Sequence, residues 1–136
     1  MRRMTEGELA AWGAALGAAL PPRAIVTLRG ELGAGKTTLV RALARGLGVT
    51  EPTSSPTYAL VHRYAGRRGP VFHLDCYRLG SPEEAIDLDW DGLLAEGDAL
   101  LIEWPERAAG WVPTATHAIT LAHLPDDPSR RALEGP

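Results

Sequence analysis

The residues with the clearest chemical potential form a glycine loop around the only lysine of the chain. The segment Gly30-Glu31-Leu32-Gly33-Ala34-Gly35-Lys36-Thr37 matches the phosphate-binding pattern G-x-x-x-x-G-K-[ST] at every fixed position. All the other basic residues among the 14 Lys and Arg are arginines. A compact ammonium reaches the β- and γ-phosphates as a point charge, and a planar guanidinium is not interchangeable with it. Lys36 is therefore the first candidate catalytic residue.

The loop also predicts which residues would contact a bound nucleotide. Glycines let backbone N–H groups turn inward around phosphate oxygens, and the N-terminus of a following helix adds partial positive charge at the same place. The hydroxyl of Thr37 would bind Mg²⁺. The predicted nucleotide contacts are Glu31, Leu32, Gly33, Ala34, Gly35, Lys36, Thr37 and Thr38.

A phosphate loop that uses Mg²⁺ needs a carboxylate at the end of a neighbouring strand. Asp75 follows the predicted strand 71–74, and Glu103 follows the apolar segment 100–102. Both should emerge at the carboxyl edge of the sheet, where ligands bind in open α/β folds. Both are candidate metal ligands, directly or through water. In the natural division of roles, Asp75 binds Mg²⁺ and Glu103 orients the attacking water. The alternative for either is a solvated strand end.

Two further polar positions allow two interpretations each. Thr57, in Ser55-Pro56-Thr57, follows the loop helix, where a mobile segment can sense the γ-phosphate; the alternative is an ordinary Ser-Pro turn. His73 lies on the same strand face as Asp75, since side chains alternate with a period of two. It could support the metal site or only pack in the core.

The surrounding elements fit this placement of the site. A capping box at Thr5-Glu6-Gly7-Glu8 begins a helix that Pro21-Pro22 ends. A second helix should follow the glycine loop, with later helix starts at Ser81 and Pro105. The predicted strands are 24–29, 58–64, 71–74, 99–102 and 116–124.

These elements predict one α/β domain of the P-loop NTPase kind. We expect a three-layer α/β/α sandwich whose sheet is mostly parallel, with an antiparallel hairpin formed by 58–64 and 71–74. The domain should span residues 1–124. Residues 125–136 are polar and rich in proline, which predicts a loose C-terminal tail.

Composition excludes several classes of function. The net charge is −3 and no basic run exceeds two residues, so no nucleic-acid-binding face is expected. No apolar stretch approaches the roughly 20 residues of a membrane span, and no signal-peptide pattern follows Met1. A single cysteine, Cys76, has no disulfide partner in the chain. These features favour a cytoplasmic protein without membrane contact.

The chain contains neither Asn nor Gln. It therefore lacks the Asn-Lys-x-Asp motif with which Ras-type proteins read guanine. Lost amides, arginine in place of lysine and 11 prolines are typical of thermophilic proteins, although a GC-rich genome would produce a similar bias.

Four motifs together resemble one family, the bacterial tRNA threonylcarbamoyladenosine biosynthesis ATPases of the TsaE type. The motifs are Gly-Glu-Leu-Gly-Ala-Gly-Lys-Thr-Thr at 30–38, Ser-Pro-Thr-Tyr at 55–58, His-Leu-Asp-Cys-Tyr-Arg-Leu at 73–79 and Ile-Glu-Trp-Pro-Glu at 102–106. The resemblance implies an ATPase that acts on the partner proteins TsaD and TsaB. It implies that tRNA is reached only through those partners, and that Thr57 lies in a switch-like loop.

The resemblance also implies roles for individual residues. By position, Lys36 and Thr37 would hold phosphates and Mg²⁺, and Asp75 would be the Walker B acid. Glu103 and Trp104 match the Glu-Trp pair of the family, which makes Trp104 a further candidate for nucleotide contact.

Two other functions compete with this one. A small-molecule kinase would need an acceptor pocket and a lid, for which the roughly 40 residues between Lys36 and Asp75 leave little room. A nucleotide-binding switch without useful hydrolysis would bind ATP tightly and show no turnover even with its partners.

Overall fold

The computed structural model describes residues 2–52, 60–77 and 79–136, and these residues fold around one sheet. Its seven strands are β1 (Arg2–Thr5), β2 (Ala24–Arg29), β3 (Val61–Ala65), β4 (Pro70–Asp75), β5 (Ala99–Glu103), β6 (His117–His123) and β7 (Arg130–Glu134). The α-helices are α1 (Glu6–Ala19), α2 (Lys36–Gly46) and α3 (Trp90–Glu96). Short 3₁₀ helices cover Pro82–Asp87 and Pro105–Ala108.

The sheet is parallel at its centre and antiparallel at both ends. The strand order is β1-β7-β6-β2-β5-β4-β3. The four central strands β6, β2, β5 and β4 run parallel, and β3 forms the predicted antiparallel hairpin with β4. β5 is buried along its whole length, as its unbroken apolar sequence predicts. The predicted fold class is confirmed.

Helices cover both faces of the sheet and give it three layers. On one side, α1 and α2 bury residues such as Leu9, Leu39 and Leu43 against the sheet. On the other side, α3 and the short 3₁₀ helices cover a second cluster around Phe72 and Ile102. Burial of this apolar surface stabilises the fold by about 25 cal/mol per Å².

Helix α1 begins as the sequence predicts. The Thr5 hydroxyl accepts a hydrogen bond from the Glu8 amide at 3.2 Å, and the Glu8 carboxylate accepts one from the Thr5 amide at 3.0 Å. Gly13 and Gly17 then face α2 at very short range. α1 therefore fixes the position of the helix that follows the glycine loop.

The prediction of a loose C-terminal tail is wrong. Arg130–Glu134 form β7, which pairs with β6 on one side and with β1 on the other. Ala132 and Leu133 are buried within it. A strand this short depends on its two neighbours rather than on its own sequence, and its polar surroundings concealed it.

The remaining differences are smaller. β1 and α3 were not predicted, and the segment that begins at Ser81 is a 3₁₀ helix without a side-chain cap. The first residues of the strand predicted at 58–64 lie outside the described residues. Within the described parts of the chain, no helix is long and apolar enough to cross a membrane.

Candidate functional site

The glycine loop lies between the end of β2 and the start of α2, as the motif requires. Gly30 and Gly35 have φ angles of 149° and 107°, which side chains of L-residues rarely adopt. A Cβ atom on Gly30 would also lie 2.5 Å from the carbonyl oxygen of Leu121 on β6. Gly30 therefore needs glycine for both its backbone angle and the lack of space, and Gly35 needs it for its backbone angle.

Lys36 is the first residue of α2, and its side chain is held against the loop. Its side chain is buried, and its Nζ donates to the carbonyl oxygens of Gly30 and Glu31, the latter at 3.0 Å. An ammonium has three N–H donors, so one remains for an anion. Burial lowers the pKa of Lys36, and the carboxylates of Glu103 and Asp75 oppose that shift by favouring the charged form.

The first turn of α2 offers further donors. No side-chain hydrogen bond caps this helix among the described residues. Its first amides therefore remain for a ligand, and the helix dipole favours negative charge there. Thr37 is exposed at this end, and the Thr38 hydroxyl donates to the Glu6 carboxylate of α1 at 3.3 Å.

Asp75 and Glu103 come together at the carboxyl edge of the sheet. They stand opposite each other in the register of β4 and β5. The Tyr77 amide donates to Oδ1 of Asp75 at 3.0 Å. Oε2 of Glu103 lies 2.5 Å from Nε2 of His73, and both of these side chains are buried. His73 therefore contacts Glu103 directly.

Trp104 has an unusual backbone. Its φ angle of 55° is left-handed, which costs an L-residue about 1–2 kcal/mol. Its ring lies 4.4 Å from the Lys36 ammonium and 4.9 Å from the Tyr77 ring. The Arg107 guanidinium lies over the rings of Tyr77 and Trp104 at 4.8 and 5.5 Å. These contacts retain the strained conformation and place an aromatic wall beside the lysine.

A cavity of about 500 Å³ joins these groups. Of the residues predicted from sequence, the cavity is lined by Leu32, Gly33, Gly35, Lys36, Thr37, Thr38, Asp75, Glu103 and Trp104. Glu31 and Ala34 do not line it, and the Ala34 amide donates to the Glu31 carbonyl at 3.1 Å within the loop. Thr57 lies outside the described residues.

Sequence reasoning missed one side of this cavity. Glu6 and Leu9 of α1 line it, together with Pro128, Ser129 and Arg131 from the segment that contains β7. Nε of Arg131 is buried and has no hydrogen-bond partner among the described residues. The sequence signals for this wall were the capping box that begins α1 and the short apolar pair at 132–133 in β7.

The oxygen ligands available at the carboxyl edge of the sheet suit a hard cation. The Thr37 hydroxyl and the Asp75 carboxylate are oxygen ligands of the kind that Mg²⁺ prefers, and Mg²⁺ usually completes its shell with substrate phosphates and water. Within the ranges that the structure covers, no cluster of three or more His, Cys, Asp or Glu could hold a metal by itself. A cation here would therefore depend on the phosphates.

Fold and loop together define a P-loop-NTPase-like α/β protein. The family model "Threonylcarbamoyl adenosine biosynthesis protein TsaE" matches residues 4–132, and the chain belongs to this family.

Individual proteins are also similar to this chain in sequence or in structure. The tRNA threonylcarbamoyladenosine biosynthesis protein TsaE of Nostoc sp. is 40% identical over 124 residues, with 88% of this chain and 75% of that protein covered. The same protein of Treponema pallidum is 40% identical over 119 residues, with 88% and 87% covered. The crystal structure of Bacillus subtilis YdiB matches with a TM-score of 0.77 and 26% identity, covering 98% of this chain and 82% of that one.

Proposed function

We propose that this protein binds and hydrolyses ATP with Mg²⁺, as a subunit of the machinery that forms N6-threonylcarbamoyladenosine in tRNA. One observation carries the ATPase part: Lys36, Thr37, Asp75 and Glu103 line a single cavity at the N-terminus of α2. Membership of the TsaE family supports the pathway. Partners would be TsaD and TsaB, which follow from the motif resemblance.

Each of these residues has a distinct part in the proposal. The free N–H of Lys36 and the uncapped amides of α2 bind the β- and γ-phosphates. Thr37 and Asp75 would hold Mg²⁺, and a cation bound there would supply positive charge beside the phosphates. Glu103 orients the attacking water. The ring of Trp104 limits the access of bulk water to the lysine.

The nucleoside would lie at the far side of the cavity, between α1 and the segment before β7. Leu9 offers an apolar surface there, and Arg131 offers a buried donor without a partner among the described residues. The chain has no Asn with which to build a Ras-type guanine motif, so the proposed substrate is ATP rather than GTP.

The partners would complete the catalytic machinery. Some P-loop proteins receive an arginine finger in trans, which raises turnover by about 10³–10⁵. A net charge of −3 does not favour direct contact with tRNA, because the phosphate backbone binds cationic surfaces. We therefore place tRNA on TsaD and TsaB, and docking near Tyr77, Trp104 and the Thr57 segment, in the cytoplasm.

The decisive experiment is ATP hydrolysis measured with and without purified TsaD and TsaB. We expect slow turnover by the protein alone, strong stimulation by the partners, and loss of both in Lys36→Ala. Turnover that requires a small acceptor would indicate a kinase instead. Tight ATP binding without turnover in the full assembly would indicate a non-hydrolysing switch. Either result would overturn the proposal.

A pull-down with TsaD–TsaB in ATP, ADP and no nucleotide tests whether docking depends on the nucleotide. We expect the amount bound to differ between these states, because Tyr77 and Trp104 of the proposed docking surface line the cavity. Strong binding of tRNA by this chain alone would contradict the proposed division of labour.

A further inference from the structure

His73 and Glu103 form a buried pair that the proposed reaction does not yet use. His73 Nε2 and Glu103 Oε2 are 2.5 Å apart, and the two side chains are only 4% and 6% exposed. The residues lie on neighbouring parallel strands, where His73 stands opposite Leu101 and Asp75 stands opposite Glu103. The contact therefore runs diagonally across the sheet. An ionised carboxylate only accepts hydrogen bonds, so the imidazole is the donor.

This pair is not explained by packing alone. Nδ1 of His73 is buried without a hydrogen-bond partner among the described residues. A buried polar atom without a partner costs free energy that an apolar side chain of similar size would avoid. In the part of the chain that the structure describes, Glu103 is the only hydrogen-bond partner of the His73 side chain. What the imidazole adds over an apolar ring is thus its bond to Glu103.

The bond leaves the two carboxylate oxygens in different surroundings. Oε2 is occupied by His73, whereas Oε1 receives no hydrogen bond from the part of the chain that is described. Glu103 also lines the cavity beside Lys36. The fixed carboxylate can therefore present one free oxygen to a water molecule in the cavity.

The nearest competitor for that carboxylate is Lys36. Its ammonium donates to the carbonyls of Gly30 and Glu31, and none of its hydrogen bonds goes to Glu103. The two groups nevertheless interact electrostatically, because Glu103 is the carboxylate that most favours the charged form of Lys36. Without its tie to His73, the carboxylate could turn to the ammonium. That ion pair would occupy both the Lys36 ammonium, which is proposed to bind phosphate, and the Glu103 carboxylate, which is proposed to orient water.

We infer that His73 is a positioning residue that holds the Glu103 carboxylate away from Lys36 and aims its free oxygen at the attacking water. This inference rests on the proposed ATPase function. It places His73 outside contact with ATP, so its removal should change turnover and leave nucleotide affinity nearly intact.

The test compares His73→Gln with His73→Met in the complex with TsaD and TsaB. Gln and Met have similar length and volume, but only Gln keeps a terminal N–H donor. We expect His73→Met to lower kcat at least about tenfold with the Kd for ATP within about twofold, and His73→Gln to retain several times more activity. Equal kcat values in the two variants, or a loss that appears only in Kd, would overturn the inference.

A double-mutant cycle with Glu103→Gln adds an independent check. If His73 acts through Glu103, His73→Met should lower kcat no further in the Glu103→Gln background. An undiminished loss in that background would contradict the inference. Melting temperatures of all variants show that each is folded.

Imidazole NMR separates this inference from the proposed function. In the wild-type protein we expect a slowly exchanging, downfield Nε2 proton on His73 that disappears in Glu103→Ala. Its absence from the wild type overturns the positioning role, whatever the ATPase assay shows. If the wild type shows this proton but hydrolyses no ATP with its partners, the proposed function fails and the contact stands.

Discussion

Gly17 lies where α1 approaches α2 most closely, and replacing it with alanine should be costly. A Cβ atom on Gly17 would overlap the carbonyl oxygen of Leu43 and lie 3.1 Å from Cα of Gly46. Both obstacles are backbone atoms of α2, so no side-chain rotation can relieve them. We expect Gly17→Ala to push the two helices apart.

Gly7 provides a matched control on the same helix. A Cβ atom there would meet nothing within 4 Å. Alanine in place of glycine favours a helix by about 0.8–1 kcal/mol, so Gly7→Ala should be neutral or stabilising. Gly17→Ala gains a similar amount but adds overpacking, which costs about 1–3 kcal/mol. The difference between the variants therefore isolates an overpacking cost of about 1–3 kcal/mol.

Thermal and urea unfolding followed by circular dichroism would measure this difference. For a chain of this size, each kcal/mol shifts Tm by about 3–4 °C, so Gly17→Ala should melt roughly 3–12 °C below Gly7→Ala. If Gly17→Ala melts at or above the Tm of Gly7→Ala, the reasoning from the close helix contact is refuted. ATP binding by both variants would show whether a shifted α2 also disturbs the glycine loop.

The remaining predictions concern Lys36, Cys76 and the C-terminal segment. Lys36→Ala should weaken ATP binding at least about tenfold, because a charge-assisted hydrogen bond is worth about 1.5–3 kcal/mol; equal affinities in calorimetry would rule this out. Burial raises the pKa of Cys76 to about 12, so the folded protein should resist thiol labelling at pH 8 and react once unfolded. The thiol of the unfolded chain has a pKa of about 8.5, so the free energy of unfolding should fall as the pH rises from there towards 12. A Cys76→Ala variant should lose less stability over the same pH range. Removing residues 125–136 should lower Tm and weaken ATP binding, because β7 and one cavity wall go with them; unchanged values would show that this segment is dispensable.

The sequence predicted the centre of the fold well because the signals there are local. The glycine loop has a fixed spacing, and Asp75 and Glu103 each end a short, mostly apolar run whose length favours a buried strand. Parallel strands bring such ends to one edge, so their proximity followed from the pattern.

Features that depend on register or on distant neighbours did not follow from the pattern. β7 is stable only because β6 and β1 flank it, and no local signal encodes both partners. The diagonal bond between His73 and Glu103 requires the exact offset of two strands. Trp104 combines a left-handed backbone with ring contacts to distant residues, and a sequence pattern contains neither.

The position of β7 between β1 and β6 also determines the order in which the molecule can assemble. Among the described residues, the edge strand β1 pairs in the sheet with β7 alone, and the ion pair of Arg3 and Asp126 bridges 123 positions of the chain. During synthesis, β1 therefore cannot pair with β7 until residues 130–134 have been made. Closing so long a loop costs conformational entropy, and contacts between such distant residues therefore form slowly. Because the same segment supplies Ser129 and Arg131 to the cavity, this wall of the cavity is also absent until that segment has been made.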